Sequence, residues 1–150
     1  MLPSFANSFW IRGAITLMSA VNLLAAPPAR AEVKTWPASF RAEQMPVNDG
    51  TQYVRVGGSG PAVVLLHGFG DTGDMWVPLA SVLVKDHTVI VPDLRGMGLS
   101  SHPEGGYRKV EQAHDPAGIR DRIGVKEVIL VTHDIGNMVG YAFAAQYLAR

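Results

Sequence analysis

The sequence predicts an α/β fold, a mostly parallel sheet with helices on both faces, and three observations carry that expectation. Apolar runs recur without polar alternation at AVVLLH (residues 62–67), HTVIVPD (87–93) and EVILVTH (127–133), as in strands covered on both faces. Stretches with helical spacing follow them. Glycine- and proline-rich joints separate the two kinds of segment. The order strand, helix, strand, helix, strand, helix calls for right-handed crossovers within one layered sheet, and 150 residues leave room for one domain.

Taken in order, residues 1–31 are expected to be a secretory signal rather than part of that domain. Arg12 precedes the run GAITLMSAVNLLAA at 13–26, which falls short of the roughly 20 residues that a bilayer requires. Ala29-Arg30-Ala31 then offers small residues for cleavage. The domain is therefore expected to span 32–150, exported to the periplasm or beyond, with no stable membrane anchor after cleavage. Of 13 basic residues, Arg12 and Arg30 leave with the signal, so 11 remain against 13 acidic ones, a net charge of −2. No basic stripe is present, which argues against nucleic acid as a partner. The chain has no cysteine, which excludes disulfides and thiolate chemistry.

Within the domain, residues 32–44 read as extended, TQYVRV (51–56) as a half-buried strand and GGSGP (57–61) as a turn. After AVVLLH, Leu79, Val82 and Leu83 repeat at helical spacing. Pro78 is comfortable only in a first turn, so the helix should begin near Asp74, whose side chain would cap it. Residues 93–107 form a long loop; 111–122 are a helix candidate weakened by Pro116 and Gly118. Residues 137–147 are apolar with helical periodicity.

The stretch HGFGDTG (67–73) admits two readings. Gly68, Gly70 and Gly73 spell GxGxxG, with Asp93 where a ribose-binding acid would stand in an NAD(P)-binding oxidoreductase. That reading needs a helix starting inside the glycines, which would carry Pro78 in its interior at a cost of about 3 kcal/mol. The alternative is a loop that lends a backbone N–H to an oxyanion, and the residues that favour it lie further on. In VTHDIGNMVGYAFAAQY a buried strand runs directly into a helix through Thr132-His133-Asp134-Ile135-Gly136. This is the strand, sharp turn, helix layout of a nucleophile elbow, with aspartate at the apex. Such an apex needs positive φ, which Asp tolerates; Gly136 is needed because helix and strand nearly touch. A carboxylate held there can attack an electrophilic carbon.

HGFGDTGDMW, VPDLRGMGLSSHP and VTHDIGN, in that order, resemble the α/β-hydrolase fold family, and within it the epoxide hydrolase and dehalogenase branch that uses an aspartate nucleophile. The resemblance covers roughly residues 46–147. It implies that Asp134 is the nucleophile, that the backbone N–H groups of Phe69 and Ile135 form the oxyanion hole, and that Asp93 to Gly96 is a structural turn. It implies a small-molecule substrate, an epoxide or a halogenated organic, opened through an alkyl-enzyme ester on Asp134. No cofactor or metal is implied. Phe69 stands where haloalkane dehalogenases have asparagine, and Ile135 where they have tryptophan and haloacetate dehalogenases have arginine, so the epoxide is favoured over the halide. No GxSxG for a serine esterase occurs.

His67, Trp76 and His133 are candidate substrate-binding residues, although His133, one step before Asp134 on a strand, reads first as a packed structural histidine on the opposite face. His67 reads first as shaping its loop, and Trp76, Tyr141 and Phe143 read as core fillers before pocket walls. No histidine pair has zinc spacing. By the family's topology the strand at 127–133 would be an open, apolar edge, and the lid, the charge-relay acid and the general-base histidine would lie downstream of Arg150. The chain is thus expected to be truncated after the elbow helix. It is either the amino-terminal portion of an exported epoxide hydrolase (alternatively a haloalkane or haloacetate dehalogenase), or a non-catalytic remnant or ligand-binding module. The sequence is silent on oligomeric state.

Overall fold

The computed structural model describes residues 34–147; the secretory signal expected at 1–31 lies outside them. Five strands form one sheet in the order β1-β2-β4-β3-β5: β1 is Phe40–Val47, β2 Gly50–Gly57, β3 Ala62–Leu66, β4 Thr88–Pro92 and β5 Val128–Thr132. The sheet is mixed. β1 with β2 and β2 with β4 are antiparallel, whereas β3 pairs in parallel with β4 on one side and β5 on the other. β1 is a strand where only an extended stretch ending at Gln44 was expected. It closes a tight hairpin through Asn48 and Asp49, with Asn48 at φ 47, a conformation that asparagine accepts at little cost.

Side chains of β3 alternate between two cores, as the two-residue period requires. Val64 and Leu66 point into the larger one, with Met45, Val54, Val56 and Ile90 from the sheet, Ile119 from α3 (His114–Ile123) and Val139 from α4 (Ile135–Tyr147). Val63 and Leu65 point the other way, to Val89, Val91, Trp36, Trp76 and Ala80 of α1 (Val77–Leu83). Each fully buried aliphatic side chain contributes roughly 1.5–3 kcal/mol, so these two layers fix which helix covers which face.

Local chemistry sets the helix ends. Pro78 sits in the first turn of α1, as anticipated, but the cap is not Asp74. A single tight helical turn, Gly73–Trp76, precedes α1, and its cap is Thr72, whose hydroxyl accepts the Asp74 N–H at 3.2 Å. The weakened helix candidate resolves into α2 (Lys109–Gln112) and α3, with Ala113 between them, which leaves Pro116 in the first turn of α3. Gly118 lets α3 approach β1: a Cβ there would stand 3.3 Å from Val47 Cγ1. β5 is an edge strand whose Ile129 is exposed. No helix among the described residues is long and apolar enough to cross a membrane.

Two contacts near the ends of β3 and β5 position the chemistry. A Cβ on Gly136 would lie 2.6 Å from the Leu66 carbonyl oxygen and 2.7 Å from that of His67, so α4 starts almost in backbone contact with β3. His67, immediately after β3, is fully buried. Its Nε2 accepts the Leu94 N–H at 2.8 Å, which puts the ring proton on Nδ1, where it is donated to the Gly68 carbonyl at 2.8 Å. Burial pushes its pKa below the ordinary 6.5, and protonation would forfeit the Leu94 bond.

Gly136→Ala is expected to cost about 1–3 kcal/mol in chemical denaturation, because the opposing atoms are backbone and cannot step aside. Gly105→Ala, where a Cβ meets nothing within 4 Å, serves as the near-neutral control. For His67 the unfolded chain takes up a proton first as the pH falls. Its contribution is therefore intact above about pH 6.5 and is lost as the pH drops from there toward the depressed folded value. His67→Gln, which cannot titrate, should be less stable at neutral pH yet lose less stability between about pH 7.5 and 5.5; an unchanged pH slope would contradict the assignment.

Candidate active site

Asp134 is the hinge between β5 and α4. The parallel ladder with β3 runs to Leu66 and Thr132, and His133 extends it by donating its N–H to the Leu66 carbonyl at 3.0 Å. The chain then turns sharply. Asp134 takes φ 49, and N–H groups of Gly136 and Asn137 donate back to the carbonyls of His133 and Asp134 at 2.8 and 2.9 Å. With the helix starting at the very next residue, the Asp134 side chain stands at its N-terminal end, where unpaired N–H groups and the helix dipole favour an anion.

The carboxylate is exposed, and its Oδ2 accepts the Phe69 N–H at 2.8 Å. The N–H of Phe69 first, and that of Ile135 second, hold the carboxyl below the ordinary 3.8; slight burial opposes them and His133 adds a smaller electrostatic pull in their direction. The two backbone groups expected to flank Asp134 thus converge on it. Gly68 makes this possible. A Cβ there would come within 2.6 Å of His133 Nδ1 and 3.0 Å of Asp134 Cβ, so any side chain would lift the loop off the elbow. The side chain of Phe69 points to solvent, 76% exposed, while Ile135 is half-buried against the larger core.

Other candidates fall elsewhere. His67, a candidate substrate contact, has both ring nitrogens engaged and no exposed surface; it ties β3 to the segment after β4 and does not face a ligand. Trp76 packs in the core on the α1 face. His133, read first as a packed structural residue, is exposed beside Gly68 and Asp134: it is the last residue tied to β3, at the end of an edge strand. Tyr141, read as core, is 79% exposed, whereas Phe143 is buried with Ala113, Ala117 and Ala142. Asp93 is buried and accepts the N–H groups of Gly73 and Leu99, the structural turn expected rather than a ribose clamp.

Two features had gone unread. Thr132 donates its hydroxyl to Asn137 Oδ1 across the elbow; only the strand-to-helix contact, not the sequence spacing, brings them together. An apolar groove of about 500 Å3 opens along α4, lined by Val110, Asn137, Met138, Tyr141 and Ala142, and begins one helical turn beyond Asp134.

Comparison with known proteins agrees with this geometry. The chain is 37% identical over 113 residues to the fluoroacetate dehalogenase of a Burkholderia species, covering 72% of this chain and 37% of that protein. It is 35% identical to the soluble epoxide hydrolase of Corynebacterium sp. strain C12, over 67% of this chain and 35% of the relative. The solved structure of the epoxide hydrolase CorEH without ligand superposes with a TM-score of 0.71 at 32% identity, covering 73% of this chain and 38% of that one. The chain spans less than two fifths of the length of these relatives. Residues 61–150 match the family model described as the alpha/beta hydrolase fold, and with the elbow, the sheet order and the crossovers all in place, the chain belongs to that family.

Proposed function

We propose that Asp134 is the nucleophile of an epoxide hydrolase reaction and that the Phe69 and Ile135 N–H groups are its oxyanion hole. The observation that carries this reading is the exposed carboxylate at positive φ, with Oδ2 held by the Phe69 N–H. That bond fixes one oxygen and leaves Oδ1 to attack. In the first step Oδ1 forms a bond to an epoxide carbon, the strained ring C–O bond breaks, and the released electron pair on oxygen takes a proton from water. The product is an alkyl ester of Asp134. In the second step water loses a proton to solvent and adds to the ester carbonyl, whose oxygen becomes negative where the two N–H groups would hold it. The carbonyl re-forms as the bond between the Asp134 acyl carbon and Oδ1 breaks. The diol leaves, its oxygen taking a proton from solvent, which restores the carboxyl group with one solvent-derived oxygen.

The dehalogenase reading shares the first step, with halide leaving, and the Burkholderia relative favours it. Against it stand the side chains beside the carboxylate. The side chains of Phe69 and Ile135 offer a departing halide no donor, and their backbone N–H groups are engaged with Asp134, whereas an epoxide opens by release of ring strain. The groove along α4 suits the apolar arm of such a substrate. For the second step, His67 has no free nitrogen and cannot act as the base without losing a hydrogen bond. We also assign residues 1–31 as an export leader and the periplasm or exterior as the destination.

Incubation with a small reactive epoxide is expected to add one alkyl group at Asp134, detected by intact mass and peptide mapping. Asp134→Asn should abolish it, and a folded protein with no adduct would reject the nucleophile. Since the carboxyl titrates below 3.8, the rate of adduct formation should hold as the pH falls and fail only below that value. Chloroacetate and a short haloalkane should release little halide under the same conditions; faster halide release than epoxide opening would favour the dehalogenase. Expression in a secreting bacterial host should yield an amino terminus at Glu32, and retention of Met1 would refute the leader.

A further inference from the structure

The loop that carries the Phe69 N–H is pinned at both ends. Its near end is held by His67. At its far end the Gly73 N–H donates to Asp93 Oδ1 at 2.8 Å, and the same oxygen takes Nη1 of Arg55, from β2, at 2.8 Å. The other arm of that guanidinium meets Asp74 Oδ1 at 2.7 Å. Asp74 in turn accepts the Trp36 indole N–H at 2.8 Å and the Lys34 backbone N–H at 3.0 Å. The Arg55 guanidinium also lies near two aromatic faces, 5.1 Å from the Trp36 centroid and 4.6 Å from that of Tyr53. Arg55 is 3% exposed and Asp93 1%, so neither charge can turn to solvent if its partner moves.

Between Gly68 and Gly73 the ties are few: Thr72 accepts the N–H groups of Asp74 and Met75 in the turn that follows, which couples it to the clamped residues. Asp71 donates to the Gly68 carbonyl at a long 3.3 Å, Gly70 is at φ 77 with open space around it, and the Phe69 side chain is in solvent. Gly73 itself packs closely against the clamp. A Cβ on Gly73 would already stand 2.7 Å from Arg55 Nη1 and 3.1 Å from Asp93 Oδ1. The fork geometry of a guanidinium bridging two carboxylates is directional, so it sets the position of residues 73 and 74, and with His67 it sets the span that residues 68–72 must cross.

We propose that Arg55 is a positioning residue for Asp134: through Asp93, Asp74 and Trp36 it holds the loop at the distance that aims the Phe69 N–H at the Asp134 carboxylate. Arg55 touches neither the carboxylate nor any reacting atom. This rests on the reading of Asp134 above for its catalytic meaning, but the mechanical link from clamp to Phe69 can be read without a substrate.

The test uses the full chain, isotope-labelled, with Asp74→Asn, Trp36→Phe and Arg55→Lys, and with Glu43→Gln, whose partner Arg41 is exposed, as control. In Asp74→Asn and Trp36→Phe, amide exchange at Gly73 and Phe69 should accelerate by about tenfold or more while that of Val64 and Ile90 in the core strands stays unchanged. The Asp134 carboxyl, followed by carbon NMR, should titrate closer to 3.8, and its alkylation by the epoxide should slow by about tenfold or more. General loosening of the fold would not move the titration of Asp134 in the folded molecule. Arg55→Lys, which keeps the charge but loses the fork, should show the same changes more strongly; should it fail to fold, the two milder variants decide. Folded Asp74→Asn and Trp36→Phe proteins with unchanged Phe69 exchange and unchanged Asp134 titration would overturn the proposal. A parent chain that is never alkylated would overturn the function of Asp134 and leave this link standing.

Discussion

The geometry around Asp134 depends on how closely the turn after β5 lies under the end of β3. Two backbones meet there with room for a hydrogen atom and nothing larger, as the 2.6 Å separation between a Gly136 Cβ and the Leu66 oxygen shows. A parallel ladder that runs to its last residue and then must begin a helix without a connecting loop leaves one residue to absorb the change of direction. That residue is Asp134, and its left-handed backbone is the consequence. The upright carboxylate follows from the same constraint.

Different forces govern the sheet and the loops. The sheet is a layered apolar structure, and its two cores are assigned by alternation along β3 and β4. The loops at the ends of these strands are held instead by buried polar groups: His67, Asp93 and Arg95 lie within them, Asp115 meets them from the first turn of α3, and all four are nearly or fully buried. Arg95 bridges Asp115 and Asp49 at 2.7 Å each, and Asn48 reaches the same Asp115, so the hairpin tip, the segment after β4 and α3 share one ionic centre. Such groups add little net stability when paired, but they are costly when left alone. Their effect is to make one loop arrangement far better than its neighbours.

This division explains what could be read from the sequence. β3, β4, β5 and α4 were legible because unbroken apolar runs and helical spacing reflect burial, and burial is what formed them. The elbow was legible because its glycine and its aspartate answer steric demands at fixed spacing. β1 was not, because an antiparallel edge strand exposes Arg41, Glu43 and Gln44 and so carries only half a pattern; Asn48-Asp49-Gly50 was the available signal. Asp74 was misread as a cap because its partners, Arg55 and Trp36, are distant in sequence, and only the fold brings them near. Tyr141 was misread as core because α4 is apolar almost all round, and periodicity cannot say which side a neighbour covers.

The family model matches from residue 61, although the likeness to individual relatives, at 72–73% of the chain, reaches further upstream; β1, β2, Trp36 and Arg55 all precede the boundary of the model. Trimming the molecule to the shared region would remove the cation from Asp93 and strip the strand that pairs with β4, leaving a dehydrated acid and a raw sheet margin in the middle of the architecture. The unit whose charges and sheet edges are all satisfied is therefore larger than the segment that the family model matches.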